Sequence, residues 1–319
     1  MNQHPRWQSL AEMMRRVNSG RGRRQTGLYA IEGTRLVERA LRAGAPLTAV
    51  LAAERLVAAP DPRHAALFDA LRAAGCPLVA APDAVVAELT EGRDLGHVLA
   101  LVRLPPVVTL EALLTSAQNP LPNPLPAGEG VERPLPNPLP EGEGAKSPLS
   151  EGERAISPAP LPPCSPALFL AAIDITDPGN VGALTRTAHA AGAMALLCAG
   201  ASDPFHPRAT RISRGSIFRL PVVAYHTSAA LLAGLRDCSV ASVATSAVGG
   251  VALPDLVRPA GPLAVLMGNE AQGLPPEVAA AVDACVTIPM PPGVDSYSVN
   301  AAAAIVLYEL QRRQQWTNS

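Results

Sequence analysis

The nine residues PNPLPAGEG at 122–130 return as PNPLPEGEG at 136–144, and weakly as SPLSEGER at 147–154. A stretch so rich in Pro, Gly and Glu buries too little apolar surface to offset the entropy of ordering it. It cannot belong to a core, so it divides the chain. The composition shift is sharpest from Asn119 to Pro166. We set the whole connecting segment at 108–166, with an expectation of a disordered, partly extended linker. A Pro-rich docking ligand is the other reading; a repeat expanded in a surface loop is the plainer one, because such insertions cost little stability.

The flanking parts read as two α/β units. In residues 1–107, a helix over 5–19 precedes GLYAIEG as a strand and TRLVERALRAG as a helix capped by Thr34. Strands at LTAVLAA, PLVAA and GHVLALVRL then alternate with helices at 61–75 and 82–90. In residues 167–319, the runs ALFLAAID, MALLCAG, LPVVAYH, SVASVATS, PLAVLMG and ACVTIPM alternate with helical segments, ending in a long helix from Ser298. Continuous apolar strands between helices predict a parallel sheet covered on both faces.

Hydrophobic residues make up 48% and aromatics 3% of the 319 residues, so Ala, Val and Leu must build the interior. Lys146 is the only lysine among 26 basic residues, and the net charge is −1. The chain as a whole therefore does not advertise a polyanion partner. Its first 43 residues do, with nine arginines against three glutamates; Arg208, Arg211, Arg214 and Arg219 form a second cluster. The five cysteines lie far apart with no CxxC, which argues against disulfides and zinc and for a reducing cytoplasm. We expect no metal, and neither a membrane span nor a secretion signal.

Three predicted strand ends carry unusual residues, where α/β sheets place their ligands. DITDPGNVGALTRTA (174–188) puts Asn180 at a helix start and Arg186 within the helix. GNEAQG (268–273) sets a carboxylate between glycines, which suits a backbone that approaches a ligand closely. IPMPPGVDSYSVNAAAA (288–304) forces a loop before a helix of small residues. The dinucleotide and P-loop fingerprints, metal-ligand spacing and the GxSxG elbow are all absent. That disfavours a nucleotide-cofactor enzyme of another class. Taken singly, Asn180 reads as a helix cap, Arg186 as a surface charge, Glu270 as a cap for the helix near Pro275, and Ser296 as a cap for the last helix.

Together and in this order, the three segments resemble the SpoU (TrmH-like) family of RNA ribose 2′-O-methyltransferases, within the SPOUT superfamily. The resemblance spans residues 168–310, and LYAIEGTRLVERALRAG is similar to the substrate-binding domain found in many members. It implies a parallel α/β sheet with a deep trefoil knot, S-adenosylmethionine as cofactor, an RNA substrate (ribosomal more than transfer RNA) and a homodimer through the C-terminal domain. It implies site roles for Asn180, Arg186, Glu270, Ser296 and Ser298. Cofactor contacts are implied for Thr245, Gly268, Asn269, Gly273, Ile288, Met290, Tyr297 and Val299. RNA contacts are expected from Arg23, Arg24, Arg35, Arg208, Arg211 and Arg214. A guanidinium is a poor base, so Arg186 is read as stabilising alkoxide charge or gripping phosphate, with the family's deprotonated arginine the alternative.

One departure stands out. The family reads Ser-Leu-Asn-Val where this chain reads Ser296-Tyr297-Ser298-Val299, with Asn300 next. Ser298 lacks the amide that both donates and accepts. The alternative function is therefore a non-catalytic RNA-binding relative with weakened or lost methyl transfer.

Overall fold

The computed structural model describes residues 7–93, 95–118 and 167–317, with backbone alone at 117–118 and 313–317. The repeats at 122–154 lie outside the described residues. The first part of the expected linker does not: Leu110–Gln118 is a helix, and Leu110 is buried against the C-terminal sheet. The spacing of Leu110, Leu113 and Leu114 gives it one apolar edge, and Thr109 Oγ1 accepts from the Ala112 N–H at its start. Setting the linker from 108 placed these residues wrongly.

The N-terminal elements are α1 (Trp7–Val17), α2 (Gly20–Thr26), β1 (Leu28–Glu32), α3 (Thr34–Arg42), β2 (Leu47–Ala53), α4 (Glu54–Ala58), α5 (Pro62–Ala73), β3 (Leu78–Ala81), α6 (Asp83–Leu89) and β4 (Val98–Arg103). The sheet runs β1-β4-β2-β3, with β4 antiparallel to both neighbours and β2 parallel to β3. One face packs under α3 and α5, the other under α1 and α6. Thr34 is not the cap of α3. Gly33 takes that position at φ 97°, and the Thr34 hydroxyl instead meets His64 Nε2 at 3.0 Å and Gly96 O at 3.1 Å.

The C-terminal part comprises α7 (Leu110–Gln118), β5 (Leu168–Ile173), α8 (Pro178–Ala190), β6 (Ala195–Ala199), α9 (Pro207–Ile212), β7 (Val222–Tyr225), α10 (Ser228–Asp237), β8 (Ala241–Ser246), β9 (Val251–Ala252), β10 (Leu263–Met267), α11 (Pro276–Ala281), β11 (Ala284–Thr287) and α12 (Val299–Thr317). Its seven strands run β7-β6-β5-β10-β8-β11-β9, and every recorded pairing is parallel. β5, β6 and β10 are buried at every residue, as their unbroken apolar runs require. α8, α9 and α12 cover one face; α7, α10 and α11 cover the other. From β5 the sheet grows in opposite directions, toward β6 and toward β10. Such a reversal opens a crevice at the carboxyl ends of the strands.

The two sheets are joined through α9 and the turns around it. Phe205 stacks at a tilt on Tyr29, ring centroids 5.1 Å apart, and Phe218 packs on the same N-terminal core. Glu32, 6% exposed, accepts from Arg211 at 2.6 Å and from Arg93 at 3.1 Å. Arg23, buried in α2, donates to Val17 O at 2.6 Å and Asn18 O at 2.9 Å and pairs with Asp203. Arg23 and Arg211 were expected to meet RNA. In the fold they neutralise carboxylates inside the domain interface and are not free to do so.

Two outcomes follow from this interface. Glu32→Ala leaves two guanidinium groups without their shared carboxylate, and we expect a loss of about 3 kcal/mol in urea unfolding. His206 caps α9, its Nδ1 accepting from the Arg208 N–H at 3.1 Å, which demands the unprotonated ring. Burial, then the Arg23 charge, pushes its pKa below the ordinary value, against smaller opposing effects of Asp203 and Glu32. The unfolded chain therefore takes up the proton first. The resulting stability is full above about pH 6.5 and is lost as the pH falls below it. Thermal melts stepped from neutral to mildly acidic buffer should show a decline that His206→Asn, a cap that does not titrate, flattens.

Candidate functional site

A cavity of about 680 Å³ opens at the carboxyl ends of β8, β10 and β11. Parallel pairing sets these ends level: Met267 lies beside Ala172, Leu266 beside Ala244, and Thr287 beside Ser246. Loops after each of the three strands, with Asn180 from α8, form the walls.

The loop after β10 is held by one side chain. Asn269 Oδ1 accepts from the Ala271 and Gln272 N–H groups at 2.9 and 3.2 Å. Its Nδ2 donates to Asp174 O at 3.0 Å, pinning the loop to the end of β5. Gly273 N–H closes back on Asn269 O at 2.8 Å. The two glycines have different causes. A Cβ on Gly268 would lie 2.4 Å from both Gly273 C and Leu274 N, so Gly268 is required by the loop's own return. Gly273 has open space around it but sits at φ 71°, which disfavours a side chain. The sequence suggested that both glycines admit a ligand; Gly268 first admits its own backbone.

Pro178 occupies the first turn of α8, and Asp177 caps the helix by accepting from the Gly179 N–H at 3.2 Å. Asn180 is thus not the cap. It lies inside the first turn, and its Nδ2 donates to Glu270 Oε1 at 2.6 Å. Nor does Glu270 cap α11, whose N-cap position is held by Pro275. These two side chains join the first and second sequence motifs across the cavity mouth. Arg208 is turned to Asp177 at 2.8 Å, clamping α9 to the start of α8. The helices touch closely there: a Cβ on Gly182 would lie 2.3 Å from Ala209 O.

Ser298 caps α12, its Oγ accepting from the Ala301 N–H at 3.3 Å. Asn300 does not replace the missing amide in the cavity, because its Oδ1 accepts from Thr187 Oγ1 on α8 at 2.7 Å. The Thr245 hydroxyl is turned to Leu266 O at 3.1 Å and is spent on the sheet.

Thr245, Gly268, Asn269, Gly273, Ile288, Met290, Tyr297 and Val299 all line the cavity, as do Asn180, Glu270, Ser296 and Ser298. Arg186 does not; it is exposed on α8, and among the described residues no hydrogen bond or ion pair holds it. Sequence reasoning missed the end of β8 and the loop after it (Ser246, Ala247, Val248) together with Gln272 and Asp295. The signal was available, since SAVGG also follows a predicted strand, but it contains no charged residue to draw the eye. Among the described residues no group of three or more His, Cys, Asp or Glu is placed to hold a metal, and no helix is long and apolar enough to cross a membrane.

Comparison with known proteins adds the following. Residues 167–308 match the SpoU rRNA Methylase family, and residues 11–100 match the MRM3-like substrate binding domain. An uncharacterized tRNA/rRNA methyltransferase of Synechocystis sp. is 35% identical over 164 residues, 50% of this chain and 57% of that protein. The chain spans about half the length of the curated relatives it matches. The crystal structure of an RNA 2′-O ribose methyltransferase is 28% identical with a TM-score of 0.65, covering 96% of each chain. The AdoMet-bound rRNA methyltransferase from Sinorhizobium meliloti has a TM-score of 0.69 at 23% identity, covering 95% of this chain and 94% of that one, a likeness of fold.

The loop geometry sets an order for two substitutions. Gly268→Ala should cost about 2–4 kcal/mol, because main chain cannot step aside for the new methyl group. Gly273→Ala should cost about 1–2 kcal/mol from its left-handed backbone alone. Chemical unfolding of the two variants, side by side, checks this order.

Proposed function

We propose that the chain, whose residues 167–308 match the SpoU rRNA Methylase family, methylates a ribose 2′-hydroxyl of structured RNA with S-adenosylmethionine. The observation that carries this reading is the single cavity in which all three sequence motifs meet. The 28% identical RNA 2′-O ribose methyltransferase, aligned over nearly the whole chain, supports the 2′-hydroxyl as acceptor. The family description favours ribosomal over transfer RNA.

The residues present suit the cofactor. The cavity has the volume of a typical small-molecule site, and its walls are mostly small residues and loop backbone with a few apolar side chains. Bound there, S-adenosylmethionine would supply an activated methyl group, transferred by in-line displacement, which requires alignment rather than a metal. Gly268, Asn269 and Gly273 would shape the adenosine side, with Ile288, Met290, Tyr297 and Val299 opposite. Asn180 and Glu270 order the cavity mouth through their hydrogen bond. The exposed Arg186 suits a group that meets the incoming ribose or its phosphate and stabilises the alkoxide.

A homodimer through the C-terminal domain belongs to the same proposal. An apolar groove lined by Leu253, Ile288, Ile305 and Tyr308, the last 69% exposed, supports it. A trefoil knot in the C-terminal sheet is part of the proposal too, and the packing of α12 on α8 supports it. A cytoplasmic location completes the reading. The loss of an amide at Ser298 favours one alternative, RNA binding without efficient transfer.

The test is transfer of labelled methyl from S-adenosylmethionine to unmodified ribosomal and transfer RNA. We expect label in ribosomal RNA, recovered as alkali-stable dinucleotides, and about a hundredfold slower transfer by Arg186→Ala with cofactor affinity unchanged. No label despite cofactor binding selects the alternative. No cofactor binding overturns the proposal.

A further inference from the structure

We propose that the seam between the two domains carries one continuous track for an RNA backbone, from α3 across the turn at 214–219 to Arg186 on α8. The identity of the polyanion as RNA rests on the function proposed above. The course of the track rests on which arginines are already neutralised.

Arg23, Arg208 and Arg211 each face a carboxylate, of Asp203, Asp177 and Glu32 respectively. Their charge is consumed within the fold. Among the described residues, Arg35, Arg39, Arg42, Arg186, Arg214 and Arg219 form no ion pair with a carboxylate; the Arg42 charge adds only a lesser effect on Glu38. Arg39 and Arg42 donate only to backbone carbonyls, which leaves their charge intact. Glu38, the acid on the same helix, is gripped by Arg63 through both oxygens at 2.6 Å, and that bond lowers its pKa. The local field is therefore positive although the whole chain is not.

Contacts connect these six residues. Arg35, Arg39 and Arg42 are spaced by four and three positions, so they share one face of α3 over about 10 Å. The Arg39 side chain lies against Gly215 and donates to Arg214 O across the domain boundary. Gly215 leads into the short 3-10 turn Ser216–Phe218, with Arg219 next. Ser216 Oγ meets His189 Nδ1 at 3.1 Å, and His189 is one turn from Arg186 on α8. The track thus joins a basic helix of one domain to Arg186 on α8 of the other, six residues along that helix from the cavity-lining Asn180. It exists only because the Glu32 and Asp203 pairs dock the domains in this arrangement.

The experiment measures binding of a fluorescein-labelled RNA hairpin to the full chain by anisotropy across about 50–300 mM KCl, since each lost phosphate contact lowers the salt slope by about 0.7–0.9. Arg35→Gln with Arg42→Gln, and Arg214→Gln with Arg219→Gln, should each lower the slope by about 1.5 and weaken binding about tenfold at the middle of that range. The control is Arg15→Gln with Arg55→Gln. It removes the same net charge from arginines paired with Glu88 and Asp83, residues of α6 on the other face of the N-terminal sheet. We expect it to bind within about twofold of the unaltered chain. Equal effects in all three pairs, or no effect in the first two, overturns the track, provided thermal melts show every variant folded. Track-dependent binding without methyl transfer would leave the track standing and sink the proposed function. Methyl transfer with the track pairs behaving as the control would do the reverse.

Discussion

The structure turns on the position of β10. Inserted between β5 and β8, it runs parallel to both and is itself buried at every residue. Its register levels three carboxyl ends, so loops far apart in the chain emerge at one place. Burial of every β10 side chain makes a slip costly, because parallel strands in a covered sheet have no solvent face to turn toward. The cavity, the Asn180–Glu270 hydrogen bond and the Asn269 clamp all depend on that pairing.

The second constraint is electrostatic. Glu32 and Asp203 are interface carboxylates, and each draws an arginine across the domain boundary. A buried carboxylate is tolerated only with such partners. The same arginines looked from sequence like part of a phosphate-binding surface. Their removal from that surface does not empty it, since others on α3 and the 214–219 turn stay free of acids.

Much of the fold was legible before any coordinates. Apolar runs marked the strands, and helices fell between them, because fully buried parallel strands must be apolar throughout. The three site motifs were legible as departures from what strand ends need. Local assignments fared worse. Asn180 looked like a cap, yet Asp177, three residues earlier, takes that role and frees the Asn180 amide. Thr34 looked like a cap and is a buried hydroxyl tied to His64. Both residue types cap well, and only the backbone path decides which one does. α7 was lost in the Pro-rich segment that follows it, although its leucine spacing was present.

By itself, the sequence determined the α/β class and the two cavity loops that follow β10 and β11. Those follow from hydrophobic periodicity and from glycine and proline chemistry, which are local. Only the tertiary structure decided which charges are spent and which are free. It also decided that Gly268 makes room for its own loop, and that Asn300 is tied to Thr187 rather than aimed into the cavity. An arginine's partner lies up to 180 residues away, and no local pattern records it.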